Sequence, residues 1–387
     1  MIYDLRFTIW QKRIGLALAL FSTLNLQLST CLAQGSLTPP GPPTPTMKSL
    51  AQIEPRTPIA SAPITISAPG SYYLTTNVTV SSGNAITINA NNVTLDLNGF
   101  VIGSTETPAA NGIGISLNGV TNIAICNGQI SGGVTNSAGV YSGSGFGYGI
   151  YFSVIPYNVR VSGISVFGCL YSGIYLGRNS TVVESCVVNT VGAFGIIAQS
   201  VSDSTAMNCG SDAMHVVNAN DCSGASYNGT GVDATVANNC YGSSVINHGV
   251  IADTANNCEG YAPGTGHGIL ATTANNCYGL ASGGGNGVSV TTAMNCYGSA
   301  AGSGNGVVAN TANNCYGDSA GGGNGIYAYN VAMGCYGQSS TGTAIYAYNA
   351  AFCNGYRPGG TAIQATIANG CIASGGTNLI TFKYNMP

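Results

Sequence analysis

Four side chains able to move or hold protons come together when the sequence is wrapped on its own repeat: Arg178, His215, Asp233 and Asp253. An imidazole or guanidinium beside carboxylates is equipment for proton abstraction, and the carboxylates can also hold a hard cation such as Ca2+. With the coils aligned on recurring Ile/Val positions, His215 and Asp233 fall in one outward column on adjacent coils. Asp253 lies two residues over on the next coil, and Arg178 lies a coil or two earlier. Glu184, Asp203, Asp212 and Asp221 belong to the same few coils, so most of the scarce charge lies between Arg178 and Asp253. The plainer alternative is that irregular coils simply tolerate polar surface residues.

The second candidate chemistry is aromatic. Tyr327, Tyr329, Tyr346 and Tyr348 form one outward stripe, with Tyr151 and Tyr175 at its far end. Tyr241, Tyr278, Tyr297, Tyr316 and Tyr336 form another. Rings stacked on successive coils cover a sheet and contribute about 0.5–1.5 kcal/mol per pair beyond area burial. A flat aromatic strip is also a platform for sugar rings, so a structural role and glycan binding both stand.

What positions these residues is a repeat. A small residue followed by Ile or Val recurs from Ile86 and Ile115 through Ile150, Ile174 and Ile196 to Ile363, fourteen positions in all, and from Ile196 onward the step is eighteen or nineteen residues. A cysteine column runs from Cys186 through Cys209 and Cys222 to Cys371, and an alanine column three residues ahead of it runs from Ala206 to Ala368. Before Ile196 the coils are longer, with period-two strands such as Val93-Thr94-Leu95-Asp96-Leu97. Like residues recurring in several columns mean a solenoid in which each turn of chain lies on the one before. About fourteen coils at about 4.8 Å each make a rod of roughly 65 Å.

Alanine and cysteine three apart cannot both face inward on one straight strand. A bend must separate them, and the Asn-Asn pair between them suits it because asparagine tolerates left-handed backbone angles. Met207, Met294 and Met333 interrupt the asparagine column, which implies a partly buried position there. The segment Ser131 to Gly147, rich in Gly, Ser and Tyr, reads as a surface loop.

Thirteen of the 14 cysteines remain if Cys31 is removed with a leader, an odd number that cannot pair fully within one chain. Stacking on adjacent coils holds Cβ atoms near 4.8 Å, slightly beyond disulfide range. Buried thiols acting as small apolar groups are the expectation. No metal site is expected, because ligand patterns place Cys or His close together in sequence and these are dispersed.

Charged residues are 5% of the chain and the net charge is −3, with no basic run beyond the N-terminus, which argues against nucleic-acid binding. Lys12 and Arg13, an apolar Gly15 to Phe21 and small residues near Ala33 read as a secretory signal over 1–33. With it removed, no transmembrane segment is expected. Pro39, Pro40, Pro42, Pro43 and Pro45 make 34–65 a stiff linker with an N-terminal cap, including a short helix over 47–53, ahead of a solenoid over 66–387. Lipid anchoring at Cys31 is a weaker alternative.

Pro69-Gly70-Ser71-Tyr72-Tyr73-Leu74, the strand Val93 to Gly99 and the following Gly-Ile-x-Leu/Val coils resemble secreted bacterial proteins of the pectate-lyase-like superfamily. The resemblance covers roughly Ile66 to Cys371 and implies an all-β, right-handed parallel β-helix. A left-handed helix of hexapeptides is the runner-up, although the columns are unevenly spaced for it. The superfamily holds lyases, hydrolases, tailspikes and adhesins, so the fold alone does not name a chemistry.

Gly266-His267-Gly268 is similar to an element of polygalacturonase-like hydrolases. His267, however, occupies the repeat column of His248, Asn286, Asn305, Asn324 and Thr343, and paired carboxylates are absent around it. An ice-binding face is likewise interrupted, at Asp253, Asn310 and Tyr329. The sequence therefore points to a secreted, non-catalytic structural or glycan-binding protein of the cell exterior, with extracellular polysaccharide as partner and no cofactor. Its alternative is a polysaccharide lyase on an acidic polymer, using Ca2+, with its site around residues 178–253.

Overall fold

The computed structural model describes residues 54–386. The expected signal, Cys31 and the short helix over 47–53 lie outside the described residues. Among the described residues there are strands and no helix. All strands but two join one parallel ladder, and Thr135–Ser137 with Val140–Ser142 form a separate antiparallel hairpin. The chain is a parallel β-helix of about seventeen turns.

The Ile/Val column is continuous in the ladder. It extends the fourteen expected positions by one at each end, Ile64 pairing with Ile86 and Asn378 with Ile363. Parallel pairing starts still earlier, with Thr57–Ile59 against Gly70–Leu74, inside the stretch expected as linker and cap.

A regular coil shows how its sequence makes its shape. Ile269–Asn275 is one seven-residue strand, paired on both sides of its exposed middle residue Thr272. Ile269 and Ala274 point inward and are fully buried. Asn276 then adopts φ 52°, the left-handed region, which reverses the side-chain parity and sends Cys277 inward as well. The four-residue strand Tyr278–Ala281 and a glycine-rich turn close the coil. Seven- and four-residue strands with unequal corners are not the equal facets of a hexapeptide helix.

The left-handed corner recurs directly before the cysteine column, at Ser185, Asp203, Asp221, Asn239, Asn257, Asn276, Asn295, Asn314, Gly334, Phe352 and Gly370. The first asparagine of each pair builds a ladder, with Asn238 donating to Asn220, Asn256 to Asn238 and Asn275 to Asn256 at 2.8–2.9 Å. Met294 and Met333 in that column are 38% and 45% exposed, so it lies nearer solvent than the methionines implied.

Two expected columns need correction. Ala219 stacks on Val201, whereas Ala206 stacks on Val188 and Gly224, and Cys209 on Val191 and Ser226. Ala206 and Cys209 therefore belong to the four-residue-strand face. Ser204 is the member of the cysteine column between Cys186 and Cys222; its hydroxyl donates to Ser202 O, as the Cys222 thiol donates to Asn220 O.

The Ser131 to Gly147 insertion is also more than a surface loop. Val134 and Phe146 at its roots are fully buried, and Tyr141 at its centre donates a hydrogen bond to Asn208 O at 3.0 Å. Its tip, with Val140 at 67% exposure, stands in solvent.

Candidate functional site

The outward residue after each Ile/Val forms one column along the solenoid. Read through the ladder it runs Tyr151, Tyr175, Ile197, His215, Asp233, Ile251, Leu270, Ser289, Val308, Tyr327, Tyr346, Gln364 and Leu379. The His/Asp pair and the tyrosine stripe therefore occupy one face.

His215 on the strand Met214–Asn220 and Asp233 on Val232–Asn238 are directly opposed on adjacent coils. His215 Nδ1 lies 2.6 Å from Asp233 Oδ2 and 3.7 Å from Asp212 Oδ2. All three side chains are half-buried, and they offer three ligand atoms within 4.8 Å of one another. Asp212 is fixed by the Thr230 N–H, which donates to its Oδ1 at 2.7 Å. Burial raises the Asp212 pKa, as does the charge of Asp233; Thr230 N–H, His215 and Arg178 oppose the rise.

Arg178 is exposed, just beyond Ile174–Tyr175, and acts on Asp212 through space with no ion pair of its own among the described residues. Asp253 is not drawn in. It occupies the exposed, unpaired middle of Val250–Asn256 and makes no hydrogen bond or ion pair among the described residues. Its neighbours in sequence-charge terms are also dispersed: Glu184 pairs with Arg160, while Asp203 and Asp221 are left-handed corner residues.

Tyr151 and Tyr175 were expected in the tyrosine stripe and Asp212 only as part of the local charge, whereas Tyr148, Tyr171 and Phe194 were not among the expected residues. Phe194 lies 6.1 Å from the His215 ring, centroid to centroid, and meets Tyr175 edge-on at 6.3 Å. Tyr175 continues to Tyr151 at 5.3 Å, and Tyr148 bridges Tyr151 and Tyr171 at 4.2 and 5.1 Å. The available signal was positional: Tyr148, Phe194 and Asp212 each sit two residues before a column Ile or Met, as His248 and His267 do.

That pre-column position is an acceptor ladder, which accounts for Gly266-His267-Gly268. His248 Nδ1 accepts from His267 N–H, and His267 Nδ1 from Asn286 N–H, both at 2.9 Å. Asn286, Asn305 and Asn324 continue with side-chain oxygens accepting the next coil's N–H at 2.7–2.8 Å. Burial lowers the pKa of both histidines, with the His267 charge adding to the effect on His248.

At the other end of the face, Tyr327 and Tyr346 stack at 4.8 Å and 3°. Tyr329 stands edge-on to Tyr327 at 4.9 Å and 81°. Tyr329 and Tyr348 are 56% and 54% exposed. Beside them is a cleft of ≈ 270 Å³ whose lining includes Tyr346, Tyr348, Gln364, Thr366 and Thr381. The other stripe, Tyr278, Tyr297, Tyr316 and Tyr336, stacks at 4.8–4.9 Å on the four-residue-strand face, and Glu259 separates Tyr241 from it.

No protein-family model matches the chain, and no curated protein matches it. Among solved structures, the Dettilon tailspike protein (gp208) is similar at 14% identity and a TM-score of 0.30, over 85% of this chain and 60% of that one. The chain thus spans less than two thirds of that protein's length. No helix among the described residues is long and apolar enough to cross a membrane.

Proposed function

We propose that the protein is a non-catalytic, extracellular polysaccharide-binding β-helix that uses the face carrying Tyr329 and Tyr348. The observation that carries this reading is the pairing of exposed rings with a polar cleft. Tyr329 and Tyr348 present apolar ring surface to solvent, Tyr327 and Tyr346 stack beside them with Tyr329 edge-on to Tyr327, and Gln364, Thr366 and Thr381 supply hydrogen-bonding groups alongside. Apolar ring faces with a few placed polar groups suit sugar rings, which are themselves apolar on their faces and polar at their rims. Secretion, from the signal expected over 1–33, would bring this face to extracellular polymers.

The test is retardation in native gels containing neutral, amino-bearing or acidic polysaccharides. Tyr329→Ala combined with Tyr348→Ala should reduce retardation about tenfold, the equivalent of about 1.4 kcal/mol. Equal migration of the wild type with and without every polymer would refute the reading.

The 2.6 Å His215–Asp233 contact favours a second reading, a polysaccharide lyase in which Asp233 orients His215 as base and Arg178 offsets charge. Ca2+ fits this cluster poorly. That ion takes six to eight oxygen ligands, and here a histidine nitrogen stands with two carboxylates, so no step is routed through it. Asp212 and Asp233 against Arg178 also leave the site acidic, which disfavours an acidic polymer. Release of unsaturated sugar products that disappears with His215→Ala would establish the lyase over the binding reading.

A further inference from the structure

Nine consecutive coils place a cysteine at the same buried corner: Cys222, Cys240, Cys258, Cys277, Cys296, Cys315, Cys335, Cys353 and Cys371. Each Sγ donates to the carbonyl two residues earlier, at 3.2 Å for Cys240, Cys277 and Cys315. Every described cysteine is a free thiol. The coil repeat is measured by the tyrosines that flank this corner, whose rings recur every 4.8–4.9 Å.

That repeat is long for a disulfide, which needs Cβ atoms about 3.5–4.5 Å apart. It is the right length for something else. Two metal–thiolate bonds of about 2.3 Å in line span about 4.6 Å, and thiolate ligands select soft ions such as Cu(I). We propose that the cysteine ladder is a binding track for soft monovalent metal ions, Cu(I) or Ag(I), each held linearly between thiolates of adjacent coils.

The charges and protons balance. Each ion enters as a cation and displaces one thiol proton, forming a metal–sulfur bond to that thiolate and a second to its neighbour. Nine thiols leave eight gaps, so eight ions displace eight protons, and one terminal thiol keeps its own. The filled track is then neutral, as a low-dielectric core requires. Dispersal of the cysteines in sequence argues against a metal array, and the coil repeat removes that objection by making them neighbours in space. Ser204 bounds the track by separating Cys186 from it.

Ser204 also supplies the control, since a hydroxyl makes the same corner bond there. The full chain is reduced, refolded with excess Ag(I), freed of loose ion by gel filtration and assayed for silver per chain. About eight ions are expected to remain. Replacing Cys240, Cys277, Cys315 and Cys353 by Ser together leaves no gap flanked by two thiols and should reduce this to about one or fewer, with the β-sheet circular dichroism unchanged. Replacing the off-track Cys126, Cys169, Cys186 and Cys209 by Ser should leave the silver content as in the wild type. If the fourfold track variant does not fold, Cys296→Ser alone should lose about two ions. Retention of fewer than about four by the wild type, or equal retention by wild type and track variants, overturns the proposal.

Discussion

The coils before residue 147 and those after residue 231 solve the same packing problem in opposite ways. The first group fills its core with several large side chains per coil, among them Leu74, Ile86, Leu95, Leu117 and Phe146. The second group fills its core with one Ile or Val per coil and otherwise with Ala, Cys and Gly. A core of large side chains can absorb longer coils and an insertion by repacking. A core of alanine and glycine brings backbones into contact, so each coil must copy its neighbour. Regularity in the later coils is therefore a consequence of closeness, and the polar cluster sits where the two regimes meet.

The most severe test of that difference is a single methyl group. A Cβ at Gly298 would lie 2.0 Å from Gly306 O, a backbone atom that cannot yield without moving the next coil. Gly298→Ala should cost at least the upper end of the ordinary overpacking range, about 3 kcal/mol. At Gly284 the nearest atom to an added Cβ is Ser303 Oγ at 3.8 Å, so Gly284→Ala should be close to neutral. Chemical denaturation of the pair decides the matter, and similar midpoints for both would remove close approach as the source of regularity.

Next in size are reciprocal core changes. Leu95→Ala in the wide core should cost about 2–5 kcal/mol as a cavity. Ala274→Leu in the narrow core should cost about 1–3 kcal/mol as an overpacking strain. If Ala274→Leu were tolerated without loss, the later coils would be no narrower than the earlier ones.

These two cores also explain what was readable in the amino-acid order. Strict copying gave the Ile, Ala and Cys columns away, together with the left-handed corner at Asn276 and its equivalents, because one residue type at one spacing has one structural meaning. Copying fails near Cys209. There the adjacent short strand, Thr205–Cys209, also carries an alanine and a cysteine, so Ala206 and Cys209 mimic a column to which the ladder does not assign them. In the candidate site, the His215–Asp233 pairing was legible as two outward residues on adjacent coils. Asp212 and Phe194 were not, since they reach the site from a corner, where side-chain direction depends on a turn and not on strand parity. Asp253 was misplaced for a related reason: two residues along the strand from Ile251, the partner of Asp233, it shares the outward face but lies in a different column, opposite neither His215 nor Asp233.

Acid offers a smaller perturbation, confined to the first of the later coils. His248 and His267 must be neutral for Nδ1 to accept a backbone N–H, and burial lowers their pKa below 6.5. The unfolded chain then binds more protons than the folded one between that value and the lowered folded values. Their contribution is complete above about pH 6.5 and is lost as pH falls through that window. In His248→Asn with His267→Asn, where asparagine supplies the acceptor as at Asn286, the decline in stability across this window should be shallower. An unchanged slope would show that the two rings do not govern it.

The smallest expected effect is a gain. Phe352 occupies the left-handed corner at φ 54°, where the other coils use Asn, Gly, Asp or Ser, and its ring is 66% exposed. A non-glycine residue there carries a backbone cost of about 1–2 kcal/mol, which asparagine partly relieves by local hydrogen bonding. Against this stands the contact of the Phe352 ring with the backbone near Gly370, where an added Cβ would lie 2.9 Å from the ring. With most of the ring in solvent that contact is the lesser term, so Phe352→Asn should raise stability by about 0.5–1 kcal/mol. A higher denaturant midpoint at unchanged slope would show that this corner is limited by backbone geometry, as the narrow-core picture requires. A lower midpoint would show instead that side-chain cover over Gly370 dominates, and that the last regular coils depend on their surface as much as on their core.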